Sequence, residues 1–277
     1  MKNSKLIRRA FEVDQHLVLR TPQVEVSIQQ MTTALKTDAD SVIYLSGPTG
    51  SGVSTVLAET AKRLEGGNGK TCFTLARPEI DDGYLPSEYL LHHFGFRFTS
   101  RPFQYNRKLP PEVVALGGIL THSIILIEDY LAGVASLEQK RTHLHQWSQL
   151  AALPSSLSIV LAGPSDHIKG SWASHQPHGQ TVVIEGWRFS DLFHNYLGEI
   201  SSLIYAMYRL EVDLSRHAGS LFTLSQGNTA RILEYIRECV RHLILSAKKG
   251  ASAQLFKLSL RDIVHANAKL LGRLTAS

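Results

Sequence analysis

Nine consecutive residues carry the densest chemistry in this 277-residue chain: Gly47-Pro48-Thr49-Gly50-Ser51-Gly52-Val53-Ser54-Thr55. Glycines at this spacing free the backbone to turn successive N–H groups toward one anion, and a helix that follows adds its positive end. A loop that holds a nucleotide this way also needs a lysine for the outer phosphates and a hydroxyl for magnesium. Ser54 supplies the hydroxyl, but Val53 stands where the lysine belongs. Valine offers neither charge nor donor. Each charge-assisted hydrogen bond forgone is worth about 1.5–3 kcal/mol, so nucleotide affinity should fall by roughly one to several orders of magnitude. The backbone cradle and Ser54 could still hold a diphosphate. Taken alone, the string could also be a flexible turn after a strand.

A second constellation lies about seventy residues on, where the apolar run Ser123–Ile127 ends in Glu128-Asp129. In P-loop ATPases an apolar strand ends in an acid that organises magnesium, and in one large class a second acid polarises the attacking water. The usual order is Asp then Glu. Here it is reversed, which displaces each carboxylate by about one methylene, and misplacement on the order of 1 Å can cost about a hundredfold in rate. Glu128 and Asp129 are therefore the candidate catalytic pair, with Ser54 and Glu128 as magnesium ligands. The plainer alternative is two acids solvating a strand end.

These residues need a scaffold, and the apolar pattern provides one. Strands are predicted at 41–46, 71–76, 123–127, 158–162 and 181–184, alternating with helices at 54–64, 86–94 and 134–152. The last of these helices carries Val134, Leu137, Leu144, Trp147 and Ala151 on one face. Strands alternating with helices imply a parallel sheet with right-handed crossovers. From about residue 190 only helices are expected, at 191–208, 213–218, 229–247 and 259–271. The prediction is an α/β P-loop core over 1–189 and a helical lid domain over 190–277.

Bulk properties exclude some classes and admit others. Hydrophobic residues make up 43% and charged residues 19%, with no run long enough to span a bilayer. The basic start MKNSKLIRR lacks the apolar stretch of a signal peptide, so a cytoplasmic protein without a membrane partner is expected. Cys72 and Cys239 fit no metal or redox spacing and read as buried free thiols. The thirteen histidines do not suggest a metal: His143 and His145 point to different sides of a helix, and His92 and His93 are adjacent. The net charge of +5 is compatible with nucleic acid without identifying it.

Charge clusters in Arg97–Lys108, RFTSRPFQYNRK, which contains Arg97, Arg101, Arg107 and Lys108, no acid, and Phe98, Phe103 and Tyr105. Cations contact phosphates and aromatics stack on bases, so the segment is a candidate for binding double-stranded DNA. The alternative is a solvated loop anchored by its aromatics. A second basic group, Lys248-Lys249 with Arg237 and Arg241, reads as helix surface.

The order of these motifs resembles the TniB/TnsC family of AAA+ transposition regulators. Arg20-Thr21-Pro22 before a helix looks like the family's lead-in segment, and Ser225-Gln226-Gly227-Asn228 followed by Arg231 looks like its lid motif. The resemblance spans roughly Phe11 to Lys269. It implies that ATP and Mg2+ bind weakly, that Arg231 reaches the nucleotide from the lid, and that Ser165 lies near the sensor on the fourth strand. It also implies that Arg97, Thr99 and Arg101 contact the DNA backbone, flanked by Arg107 and Lys108. The expected partners are DNA, a transposase or target-selection protein, and further copies in a ring or filament. The family commonly has an arginine around 171–178 that acts on a neighbouring subunit, and SWASHQPHGQ contains none. Three altered parts of the hydrolytic apparatus imply a pseudo-ATPase adaptor. The rival readings are an active AAA+ ATPase using a substitute cation, and a nucleotide-dependent switch or defence NTPase unrelated to transposition.

Overall fold

A computed structural model describes residues 20–37, 42–65, 71–75, 86–96, 109–120, 122–130, 136–153, 157–165 and 179–246. These residues fall into two compact units, one spanning Pro22–Glu185 and one formed by Arg20 and Thr21 together with the residues from Gly186 on.

The first unit is a five-stranded sheet. In chain order its elements are α1 (Pro22–Thr37), β1 (Val42–Gly47), α2 (Val53–Glu65), β2 (Cys72–Leu75), α3 (Pro86–His93), α4 (Pro111–Ile119), β3 (Ile124–Glu128), α5 (Leu137–Ala151), β4 (Ser158–Pro164) and β5 (Gly179–Val183). The strands lie in the order β2-β3-β4-β1-β5, and every pairing is parallel. Helices cover both faces, which is why β1 and β4 read as continuous apolar runs. Alternate residues face opposite sides. Ile43, Leu45, Ile124, Leu126, Val160 and Ala162 pack with Val24, Ile28, Met31 and Leu35 of α1 and Val56 and Leu57 of α2. Tyr44, Ile125, Ile127, Ile159 and Leu161 pack on the other side with Leu90, Leu91, Val113, Leu116, Leu144, Trp147 and Leu150.

Local signals explain the boundaries. Ser136 caps α5 through a capping box, its hydroxyl accepting from the Gln139 amide while the Gln139 side chain accepts from the Ser136 amide. The helix thus begins after Ser136 rather than at Val134, which lies outside the described residues. On the predicted face Leu144, Trp147 and Ala151 are buried. Helix α4 has no counterpart in the sequence reading. Its sequence PEVVALGGI shows no polar face, and Gly117 leaves room that a Cβ would contest with Leu153 Cδ1 at 2.5 Å.

The second unit holds α6 (Asp191–Tyr208), a 3-10 turn at Ser215–His217, α7 (Ala218–Ser225) and α8 (Thr229–Ser246). Around Phe193, Leu197, Ile200, Leu221, Ile232 and Ile236 these bury a separate core, in which Trp187 stacks on Tyr196 with ring centroids 4.6 Å apart. The helix expected at 213–218 is corrected. Asp213 Oδ1 accepts from the Arg216 amide at 3.1 Å, which closes a 3-10 turn, and the α-helix starts only at Ala218. The helix expected at 259–271 lies outside the described residues. Among those described, no helix is long and apolar enough to cross a membrane.

Two side-chain expectations change. Cys239 is buried, but Cys72 on the edge strand is only half-buried, and neither forms a disulfide among the described residues. Arg237 and Arg241 are not surface cations. Both are half-buried, and Arg241 bonds the carboxylate of Glu238, itself only 4% exposed. Lys248 and Lys249 lie outside the described residues.

Candidate nucleotide site

Strand β1 delivers the loop. Gly47, its last residue, is buried and pairs in register with Pro164, and Ile184 N donates to Ser46 O at 2.7 Å. A Cβ at Gly47 would stand 2.3 Å from Ser51 Oγ, so the loop folds back over this position only because it is glycine. Ser51 N donates to Pro48 O at 2.9 Å, which closes the first turn. Gly50 at φ 79° and Gly52 at φ 104° then take conformations that L side chains rarely adopt. Val56 N donates to Gly52 O at 2.9 Å, and α2 begins. Its first turn contains no acid of its own, so the helix start keeps its amides for a ligand's charge.

Beside the loop stands the acidic strand. Ser54 Oγ donates to Glu128 Oε1, so the hydroxyl and carboxylate expected to share magnesium are brought together. Their alignment follows from the sheet: β4 lies between β1 and β3, and Ala162 pairs with both Leu45 and Glu128. Glu128 is half-buried. Asp129 is exposed and adopts φ 49°, a left-handed conformation that aspartate tolerates better than most residues. Ser165 follows directly on Pro164, the register partner of Gly47.

Val53 sits at the first position of α2, half-buried, and packs against the cluster formed by α1, α2 and the sheet. The position that should present a cation is thus turned to hydrophobic contact. Sequence reasoning did not foresee that packing. It also missed Val24, whose Cγ2 lies 2.7 Å from where a Gly52 Cβ would be. The periodicity Val24, Ile28, Met31, Leu35 was the available signal for the stripe on α1. Also missed were Ser51, whose buried hydroxyl has no hydrogen-bond partner, and Tyr130, buried next to the acidic pair. Burial pushes the Tyr130 hydroxyl far above the ordinary tyrosine range, so it stays neutral, and its ring lies near Gly163 at the end of β4.

Of the remaining expected residues, Pro48, Thr49, Gly50 and Thr55 are exposed on the loop and the first turn of α2. Arg231 belongs to the helical unit, exposed in the first turn of α8. The motif before it has a clear mechanical reason. Gln226 ends α7 in the left-handed conformation, Gly227 continues at φ 71°, and Asn228 Oδ1 caps α8 by accepting from the Arg231 amide at 3.1 Å. A Cβ at Gly227 would meet the Trp187 carbonyl oxygen at 2.5 Å. Arg97, Thr99, Arg101, Arg107 and Lys108 lie outside the described residues.

No family model matches the chain, and no curated protein resembles it in sequence. Solved structures do resemble it in fold. The Aeropyrum pernix ORC1 protein in complex with DNA superposes with a TM-score of 0.57 at 14% identity, over 91% of this chain and 66% of that one. The Aeropyrum pernix ORC2 protein, in ADPNP and ADP complexes, gives 0.54 at 14% identity over 91% of this chain and 68% of that one. Saccharomyces cerevisiae Hsp104 in complex with casein gives 0.54 at 12% identity, over 95% of this chain but only 44% of that one. The fold is that of an AAA+-type P-loop NTPase. This AAA+-type core accounts for the sheet, the glycine loop at the end of β1 and the acid at the end of β3.

The residues present fit a nucleotide with magnesium in part. The glycine turns, the unpartnered Ser51 hydroxyl and the acid-free first turn of α2 suit an inner phosphate, and Ser54 with Glu128 suits magnesium. Val53 does not suit an outer phosphate.

Proposed function

We propose that this chain is a nucleotide-binding, hydrolysis-impaired AAA+-type adaptor of the TniB/TnsC kind, which binds double-stranded DNA and recruits a transposase or target-selection protein. The observation that carries the reading is Val53. A cradle with the backbone features for a phosphate ends in an aliphatic side chain packed on the core. Ser54 and Glu128 would hold magnesium, which when bound supplies charge compensation for phosphate oxygens. The chain's own residues do the rest. The loop's N–H groups orient the inner phosphates, and Val53 leaves the outer ones without a donor. Asp129, exposed and following the metal acid, replaces the glutamate that would polarise water. Nucleotide then sets conformation and packing between copies rather than supplying turnover.

The DNA half of the proposal rests on Arg97, Thr99, Arg101, Arg107 and Lys108, and on the fold shared with ORC1 bound to DNA. Arg231 is proposed as the residue of the helical unit that reaches the nucleotide, and the partner set includes further copies of the chain.

Two measurements test this reading. Steady-state ATPase of the full chain with duplex DNA should stay near background, and Val53→Lys should raise nucleotide affinity. Robust turnover by the unmodified chain would end the pseudo-ATPase reading. Duplex binding should weaken with salt at a log–log slope of about −3.6 if four phosphates are neutralised. The double variant Arg97→Ala with Arg101→Ala should reduce that slope by about half. A flat salt response would remove the DNA assignment.

A further inference from the structure

We infer that the loop Gly47–Ser54 discriminates against triphosphates, binding nucleoside diphosphates more tightly than the matching triphosphates. The inference rests on the reading of this loop as a nucleotide cradle and adds which ligand the cradle prefers.

A phosphate loop divides its labour. Backbone N–H groups hold the inner phosphates, and the lysine at the start of the helix holds the outer ones. The two halves have fared differently here. For the inner phosphates the apparatus is in place. Gly50 and Gly52 take positive φ, Gly47 accommodates the returning loop, and no acid occupies the first turn of α2. The Ser51 hydroxyl is a second, independent observation that points to a ligand. The residue is only 3% exposed, its hydroxyl is turned into the loop beside Gly47, and that oxygen has no hydrogen-bond partner. Buried hydroxyls are rarely left without one.

The outer half is dismantled. Val53 spends its side chain on contact with the α1–α2 side of the core. The group nearest to hand is of the wrong sign: Ser54 is hydrogen-bonded to the half-buried carboxylate of Glu128. Adding a third phosphoryl group brings another negative charge to a region with a carboxylate and, at the position of the helix-start lysine, an aliphatic side chain. Charge near charge in a partly desolvated site is costly. A diphosphate keeps the cradle contacts and avoids this repulsion. Magnesium between Ser54 and Glu128 would narrow the difference, so discrimination should be largest without it.

The test is competition against fluorescent N-methylanthraniloyl-ADP on the full chain, with ADP, ATP, GDP and GTP, in magnesium and in EDTA. Variants Val53→Lys and Val53→Met accompany the unmodified chain, the second keeping an apolar side chain of similar reach. The expected result is a diphosphate at least about threefold tighter than its triphosphate in magnesium and about tenfold tighter in EDTA. Val53→Met should keep that order. Val53→Lys should invert it, with ATP affinity rising about tenfold or more, since about 1.4 kcal/mol corresponds to tenfold. Triphosphate binding tighter than diphosphate in the unmodified chain overturns this inference and leaves the cradle intact. Failure of every nucleotide to displace the probe, or of the probe to bind a folded chain, overturns the cradle reading itself.

Discussion

Replacing Gly52 by alanine should damage the loop through two separable terms. The first is conformational. At φ 104° the residue lies outside the regions an L side chain occupies comfortably, at a cost of about 1–3 kcal/mol. The second is steric. The new Cβ would stand 2.7 Å from Val24 Cγ2, where carbon atoms in contact prefer about 3.5–4.0 Å. Val24 is 3% exposed, one turn from Ile28 in a stripe fully occupied by core contacts, so it has little freedom to withdraw. Overpacking of this kind costs about 1–3 kcal/mol. Together the terms predict a loss of about 2–6 kcal/mol, or on the order of 10 °C in Tm at about 2–4 °C per kcal/mol. Circular dichroism melts of four proteins separate the terms: unmodified, Gly52→Ala, Val24→Ala, and the double variant. Val24→Ala alone removes two buried methyl groups, worth about 2 kcal/mol. In the double variant the clash disappears but the strained φ remains, so the double should be less destabilised than the sum of the singles by about 1–3 kcal/mol. Additive losses would refute the claim that Val24 closes over the loop. An unperturbed Gly52→Ala would refute the loop conformation altogether.

Two further predictions concern packing away from the loop. Burial lowers the pKa of His143 to about 4 from the ordinary 6.5, so the unfolded chain takes up a proton across that window while the folded chain does not. Both forms are neutral above pH 6.5, and stability should fall by about 3 kcal/mol as pH drops from 6.5 to 4; His143→Leu should flatten that part of the urea-midpoint profile, and an unchanged profile would remove His143 as its source. In α8, Glu238→Leu leaves the half-buried Arg241 without its carboxylate and should cost about 3–5 kcal/mol, whereas Glu238→Leu with Arg241→Met should recover most of that loss by thermal melt.

The parts legible in the sequence were those in which a single physical demand dominates. Strands covered on both faces must be apolar throughout, so the runs at β1, β3 and β4 stand out. The glycine loop is visible because the backbone itself must turn where other residues cannot. Features decided by tertiary packing were hidden. Helix α4 has no polar face to give a period, and only the space beside Leu153 explains its Gly117. The 3-10 turn that precedes α7 is marked by the Arg216 amide that Asp213 captures, and a shift of about one turn leaves the apolar pattern nearly unchanged. Val53 shows the limit most clearly. Its identity announces the loss of a cation, but that it packs on the core is a fact about α1 and the sheet. Arg241 is similar, since a cation on a helix reads as solvated until a buried Glu238 is found one turn away.

A cradle of this shape carries costs that a bound anion would offset. Holding Gly50 and Gly52 at positive φ restricts the most flexible residues in the chain. Leaving the Ser51 hydroxyl buried without a partner costs about 1–3 kcal/mol. The acid-free first turn of α2 forgoes the few tenths to 1 kcal/mol that an acid would contribute there. The arrival of a phosphate would offset the last two terms: its oxygens accept from the turned amides and from Ser51, and its charge meets the helix start. A loop with no ligand gains nothing from keeping all three. The cradle should therefore be stabilised far more by a small anion than the acids beside it suggest. At about a hundred times its Kd, ADP should add about 2.7 kcal/mol to folding stability. A thermal melt that does not move under saturating ADP, pyrophosphate or phosphate would overturn the reading of this loop as a phosphate cradle.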